Sequence, residues 1–175
     1  MKKISLIILA VIGIVVACKG THNSSDAKKL TVVFEAKSNS GVSGTATFTE
    51  KKGVVTMVAK MSGLKTGVHA IHIHEKSDCS AADGSSAGGH WNPTFKKHGK
   101  WGTGEYHKGD IGNFTADETG NATVTFSTDE WCIGCGDPAK DILGKGLIVH
   151  QGSDDFTTQP TGNAGARVAC SGLIK

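Results

Sequence analysis

Aromatic side chains make up only 6% of this 175-residue chain, tyrosine and arginine each occur once, and there are three prolines. No stretch shows a sustained 3.6-residue apolar period, which argues against a helical bundle. A net charge of +3 is too small for a nucleic-acid binder. The longest apolar stretch, Ile4 to Ala17, has fourteen residues and is apolar apart from Ser5, too short to span a bilayer comfortably. What is abundant is glycine, 24 residues or roughly twice average usage. It follows no G-x-y repeat, so collagen is excluded. With 38% hydrophobic and 20% charged residues the chain has the material for a core. Its length suits one domain. Histidine stands out, with eight residues against the single tyrosine.

The amino terminus reads as an address. Lys2 and Lys3 precede the apolar run, which ends in Val15-Val16-Ala17-Cys18. This resembles a bacterial lipobox, cleaved before Cys18, which then carries the lipid. A plain secretory signal cleaved near Ala17 is the alternative. The expected organisation is therefore a signal peptide over 1–17, a lipidated Cys18 and flexible tether over 18–29, and a domain over 30–175. The mature protein is expected in the cell envelope, periplasmic or on the outer surface, held to a membrane by its anchor. Losing Lys2 and Lys3 leaves a mature charge of about +1, so any attraction for anions has to be local.

Export changes how the cysteines read. Cys79, Cys132, Cys135 and Cys170 form an even set, which suggests two disulfides in an oxidising compartment. Of three connectivities, 132–135 with 79–170 is preferred. A redox or metal-binding role for the Cys132–Cys135 C-x-x-C is the competing reading.

Elsewhere the period is two. Val42, Gly44, Ala46 and Phe48 alternate with Ser43, Thr45 and Thr47; Val55, Met57, Ala59 and Met61 alternate with Thr56, Val58 and Lys60. Turn signals at 50–53, 117–121 and 144–146 separate such runs. Strands are predicted over about 30–38, 42–50, 53–62, 68–75, 111–117, 121–128, 146–151 and 166–174. Eight short antiparallel strands define an all-β sandwich or barrel. Two long irregular stretches remain, about 76–110 and 152–165, and structureless segments of that length are functional or tied down.

The histidines fall in two groups. His72 and His74, at i and i+2 on one strand, share a face and can converge on one metal. His69 has the opposite parity and reads as structural, hydrogen-bonded to backbone. His90, His98, His107 and Asp110 lie in the first irregular stretch and make a four-donor set suited to Zn²⁺, whose binding would order that loop. His150, at a strand end, can join His72 and His74 in a nitrogen-rich set that suits Cu(II) as well as zinc. Trp91 and Trp101 read as packing.

The segments GVHAIHIHEKSDC (67–79), SAGGHWNP (86–93), KHG (97–99), HKGDIGN (107–113), LIVHQGSDD (147–155) and GNAGARVAC (162–170) together resemble copper–zinc superoxide dismutase. That family is itself a standing example of a Greek-key sandwich and of electrostatically steered, diffusion-limited catalysis. The resemblance implies copper on His72, His74, His90 and His150, and zinc on His90, His98, His107 and Asp110, with His90 a bridging imidazolate. It implies that Asp154 links a copper-site to a zinc-site histidine, that Arg167 attracts and orients the anion, and that Cys79 pairs with Cys170. The implied reaction is dismutation of superoxide to dioxygen and hydrogen peroxide, with copper as redox centre and His90 supplying a proton. The segment 129–146, with Trp131, Cys132 and Cys135, departs from the commoner pattern. A non-enzymatic exported copper- or zinc-binding protein of the same fold is the alternative function. Monomer and homodimer both remain open.

Overall fold

A computed structural model describes residues 27–175; the signal, Cys18 and most of the tether lie outside these residues. The strands are β1 (Lys28–Val33), β2 (Glu35–Ala36), β3 (Ser43–Lys51), β4 (Val54–Ser62), β5 (Gly67–His74), β6 (Gly112–Ala116), β7 (Ala122–Thr128), β8 (Gly146–His150) and β9 (Arg167–Gly172). Among the described residues the one helical element is a 3₁₀ turn, Ser85–Ala87. The strands form two antiparallel sheets, ordered β1-β3-β4-β7 and β2-β9-β8-β5-β6. The chain crosses from β4 to β5, returns from β6 to β7 beside β4, and crosses again to β8 beside β5. The result is the expected all-β Greek-key sandwich.

One expectation is corrected. The predicted first strand, 30–38, is two strands in different sheets, so the described residues hold nine strands rather than eight. The Phe34 N–H still bonds the Gly44 carbonyl, and from Glu35 the chain pairs with β9 instead. Leu30, Val32 and Phe34 are all buried, so the apolar period runs unbroken through a corner where the strand changes partners. Hydrophobic pattern reports the face, not the neighbour.

The core lies between the sheets. Phe48, Met57, Ile71, Ile73, Leu147 and Val149 are fully buried there. Each such side chain contributes about 1.5–3 kcal/mol of transfer free energy. Because β5 and β8 place Ile71, Ile73, Leu147 and Val149 inward, strand alternation turns His72, His74 and His150 to the opposite face. That face is covered by the two long irregular segments, which is why β5 is buried on both sides from His69 to His74.

Two disulfides close the fold, Cys79–Cys170 and Cys132–Cys135. Such bridges are those of a protein outside the reducing cytoplasm. By the chain-entropy model the first, spanning 91 residues, stabilises by about 4–5 kcal/mol. The second, spanning three, gives about 2 kcal/mol. The segment 129–146 is held independently of its bridge. Trp131 and Ile133 are buried in the core, and Ile133 N–H donates to Glu50 (2.8 Å). Trp101, from the 76–111 segment, packs on Phe126 and Trp131, as the packing reading anticipated.

Candidate metal centre

The 76–111 segment reaches His72 and His74 by borrowing the edge of β5. Past Ile71, where β6 stops pairing, the Ile73 N–H donates to Gly109 O (2.9 Å) and the Trp91 N–H to Ile73 O (2.9 Å). This sets His90 opposite His74. Gly109 is demanded by the contact, since a Cβ there would lie 2.1 Å from the Ile73 carbonyl.

Six histidines and Asp110 then meet in one buried cluster. Donor atoms of His72, His74, His90 and His150 all lie within 4.8 Å of one another, as do those of His90, His98, His107 and Asp110. His90 is common to both. Its ring centroid is 4.1 Å from His72, 4.9 Å from His74, 5.2 Å from His98 and 5.8 Å from His107.

Outer acceptors fix the tautomers of the other five rings. His72 Nε2 and His98 Nε2 each donate to one oxygen of Asp154 (2.9 Å both). His74 Nδ1 donates to Gly88 O (2.9 Å), His107 Nε2 to Lys96 O (3.0 Å) and His150 Nδ1 to Gly165 O (3.2 Å). In each ring the other nitrogen faces inward, and in the neutral ring it carries the lone pair. His90 alone has no such outer acceptor. Its Nδ1 lies 2.8 Å from Asp110 Oδ1, and its Nε2 faces the copper set. Among the described residues, the buried side-chain nitrogens without a hydrogen-bond partner are His72 Nδ1, His90 Nε2, His98 Nδ1 and His107 Nδ1. His98 Nδ1 sits 2.9 Å from Asp110 Oδ2 but is not aligned for a hydrogen bond. Desolvated lone pairs of this kind are unfavourable unless something binds them. They converge as a nitrogen set for copper and an N₃O set for zinc, so the donors fit both metals.

Charge follows the same division. Burial, with neighbouring imidazoles, pushes His90 down to about 4 and His150 down to about 3, and holds His74 well below its ordinary value. These rings are neutral and able to ligate near pH 7. Burial disfavours charge on His98 too, but the adjacent carboxylates of Asp110 and Asp154, the latter hydrogen-bonded to it, outweigh burial and raise His98 to about 9. Burial alone would raise the Asp110 and Asp154 carboxyls; their histidine partners instead hold both well below the usual range.

Arg167 opens β9 opposite His150. Its guanidinium donates to Gly84 O (2.6 Å) and Gly88 O (2.7 Å), the latter also the acceptor of His74 Nδ1. Burial lowers its pKa, against the opposing charge of Asp83. His69 stands apart from the centre, its nitrogens 2.9 Å from His150 O and 2.7 Å from Lys65 O, stacked on Phe114.

Some parts of the site carry no signature in the sequence. The Gly88, Gly165 and Lys96 carbonyls are backbone atoms, which any residue supplies. Gly162 is needed because a Cβ there would lie 1.8 Å from Asp154 Oδ1 and 2.6 Å from His98 Nε2, at a φ of +67°. The weak signal for it was glycine inside an irregular loop beside a key carboxylate.

A Greek-key sandwich carrying a buried pair of metal sites joined through one imidazole defines the class as a bimetallic oxidoreductase fold. Residues 42–174 match the family model for copper/zinc superoxide dismutase (SODC), and the chain belongs to that family. Its copper and zinc ligand sets are both complete.

Proposed function

We propose that this chain is an exported, lipid-tethered dismutase in which Arg167 captures superoxide and His90 handles the proton delivered to the product. The observation that carries the reading is His90, the one ring of six in the cluster that has no acceptor outside the two ligand sets. When bound, copper on His72, His74, His90 and His150 supplies the one-electron couple that oxidises one superoxide and reduces the next, while zinc on His90, His98, His107 and Asp110 supplies fixed charge.

The chain's own residues do the rest. Two superoxide ions and two protons become dioxygen and hydrogen peroxide. Arg167 spends two of its five donors on Gly84 and Gly88, which fixes the guanidinium beside His74 and His150 while leaving donors for a small anion. With a mature charge of about +1, attraction falls to this local cation rather than to the protein as a whole. His90 Nε2 is the atom placed to carry a proton toward the copper set and give it to the forming peroxide. Asp154 keeps His72 and His98 in the tautomers that ligate.

Arg167→Ala is expected to lower turnover roughly 10-fold or more at low ionic strength and to flatten its salt dependence. Unchanged rates across salt would remove the steering role. Metal-replete protein that turns over no faster than a His150→Ala control would instead favour a carrier of copper or zinc. Domain limits of 1–17, 18–29 and 30–175 go with this reading. Cys18→Ala should move the protein from the membrane to the soluble fraction, and sedimentation of the freed domain separates monomer from homodimer.

A further inference from the structure

The dismutase centre makes no use of Cys132 and Cys135. Their bridge lies in the 129–146 segment, and its two sulfurs differ in access. Cys132 is 7% exposed, whereas Cys135 stands in an exposed run from Gly134 to Pro138. By contrast Cys79 is 8% exposed and Cys170 is fully buried, packed with Ala87 and Ile148.

The backbone around the pair is set by other contacts. The Asp141 carboxylate accepts from the N–H groups of Gly134 (2.9 Å), Gly136 (2.9 Å) and Leu143 (3.1 Å). Cys132 N–H donates to Lys140 O (2.8 Å), and Ile142 N–H donates to Cys132 O (3.1 Å). Opening the sulfur–sulfur bond therefore leaves the turn closed, and the short loop it spans makes the bridge contribute less to folding than Cys79–Cys170 does. Dithiol and disulfide share one backbone, and one sulfur-bearing residue faces solvent. Those are the requirements for a site that cycles.

We propose that Cys132–Cys135 is a second redox site: a solvent-facing disulfide that oxidises exported dithiols and is restored by hydrogen peroxide. The peroxide arm rests on the dismutase reading; the exchange arm does not. In exchange, a partner thiolate attacks Cys135 Sγ, forming a mixed disulfide. The Cys132–Cys135 bond breaks, and its electron pair leaves on Cys132 Sγ, which takes a proton. The partner's second thiolate then attacks the partner's own sulfur in the mixed disulfide and releases Cys135 as thiolate, which takes the second proton to give the dithiol. Two electrons and two protons have passed to the pair. For the return, the Cys135 thiolate attacks one oxygen of hydrogen peroxide. The O–O bond breaks, giving a sulfenic acid at Cys135 and hydroxide, which is protonated to water. The Cys132 thiolate displaces the sulfenic oxygen, which leaves as a second water. The sum is dithiol plus hydrogen peroxide to disulfide plus two waters.

The test uses the metal-loaded protein. Native holoenzyme is treated with dithiothreitol, then alkylated and mapped by peptide mass. We expect Cys132 and Cys135 to be labelled together while Cys79 and Cys170 are not, with dismutation changed less than twofold. With two equivalents of added peroxide, enough for the slower reaction, the pair should then close at least tenfold faster than the lone thiol of Cys132→Ser is oxidised to the sulfinic acid. Dismutation by the same holoenzyme, and its loss in His150→Ala, is scored alongside, which separates failure of the dismutase reading from failure of the thiol site. The double variant Cys132→Ser, Cys135→Ser should melt no more than about 8 °C below the parent, the loss of a short-loop bridge alone. The proposal is overturned if the pair resists dithiothreitol until the chain is denatured. It is overturned equally by a large melting loss in the double variant, or by a dithiol form that takes up Zn²⁺ one to one and no longer responds to peroxide.

Discussion

The two halves of the metal centre are built differently. Three copper ligands, His72, His74 and His150, stand on β5 and β8, neighbouring strands whose other face is the hydrophobic core. All four zinc ligands, His90 included, stand on the 76–111 segment, which among the described residues has one 3₁₀ turn and little other regular structure. The sheet pays in advance for the position of the copper ligands. The zinc half has to be ordered by what binds it, by the Cys79–Cys170 bridge and by Trp91 and Trp101. Metal binding to a loop is folding energy for that loop, so the two metals answer different needs: one works on a preformed face, the other makes the lid over it.

The strongest way to break this comparison is to remove the residue common to both halves. His90→Ala should bring turnover to background and deplete both metals, as measured by dismutation rate and metal content. A variant that retained full copper and activity would show that the halves are independent. Next in size is chelation of the metals. The metal-free protein should melt about 10 °C lower, equivalent to roughly 3–5 kcal/mol for a domain of this size. Amide exchange should accelerate in 76–110 and 152–165, while β3, β4 and β7 keep their protection. Uniform loss across both sheets would contradict a loop-built zinc half.

A smaller effect sharpens the link between the halves. Asp154→Asn keeps the shape but can offer an acceptor to only one of His72 and His98. Affinity for both copper and zinc should fall about 10–100-fold, read by competition with a chelator of known strength. The smallest effect is on pH. In the metal-free protein, His90 and His150 have folded pKa values of about 4 and 3, below the ordinary 6.5, so the unfolded chain binds more protons and stability declines as pH falls from about 6.5 toward 3. His98, raised to about 9, acts in the other direction: its contribution is present below about 6.5 and is lost as pH climbs to 9. Denaturant midpoints should therefore peak near pH 6.5. Zinc-loaded protein should lose the alkaline decline, because the ion takes the place of the His98 proton.

Most of this was legible in the sequence, for reasons that can be named. Period-two runs such as Val55 to Met61 are buried on alternate residues in the structure, because the sandwich has one dry face per strand. Ligands on a strand follow parity, which separates His72 and His74 from His69. What stayed hidden is of two kinds. Partner changes at a corner, as at Phe34, leave the hydrophobic pattern untouched. Backbone carbonyls and steric demands, as at Gly88 and Gly162, depend on how distant segments meet, which no local pattern encodes.

Gly88 merits one last consequence. A single peptide oxygen there receives both the Arg167 guanidinium and the His74 ring. Any shift of that oxygen alters reception of the incoming ion and the electron-donating strength of a copper-side imidazole at the same moment. Engineers seeking to retune one property through the 84–88 turn will find the other moving with it.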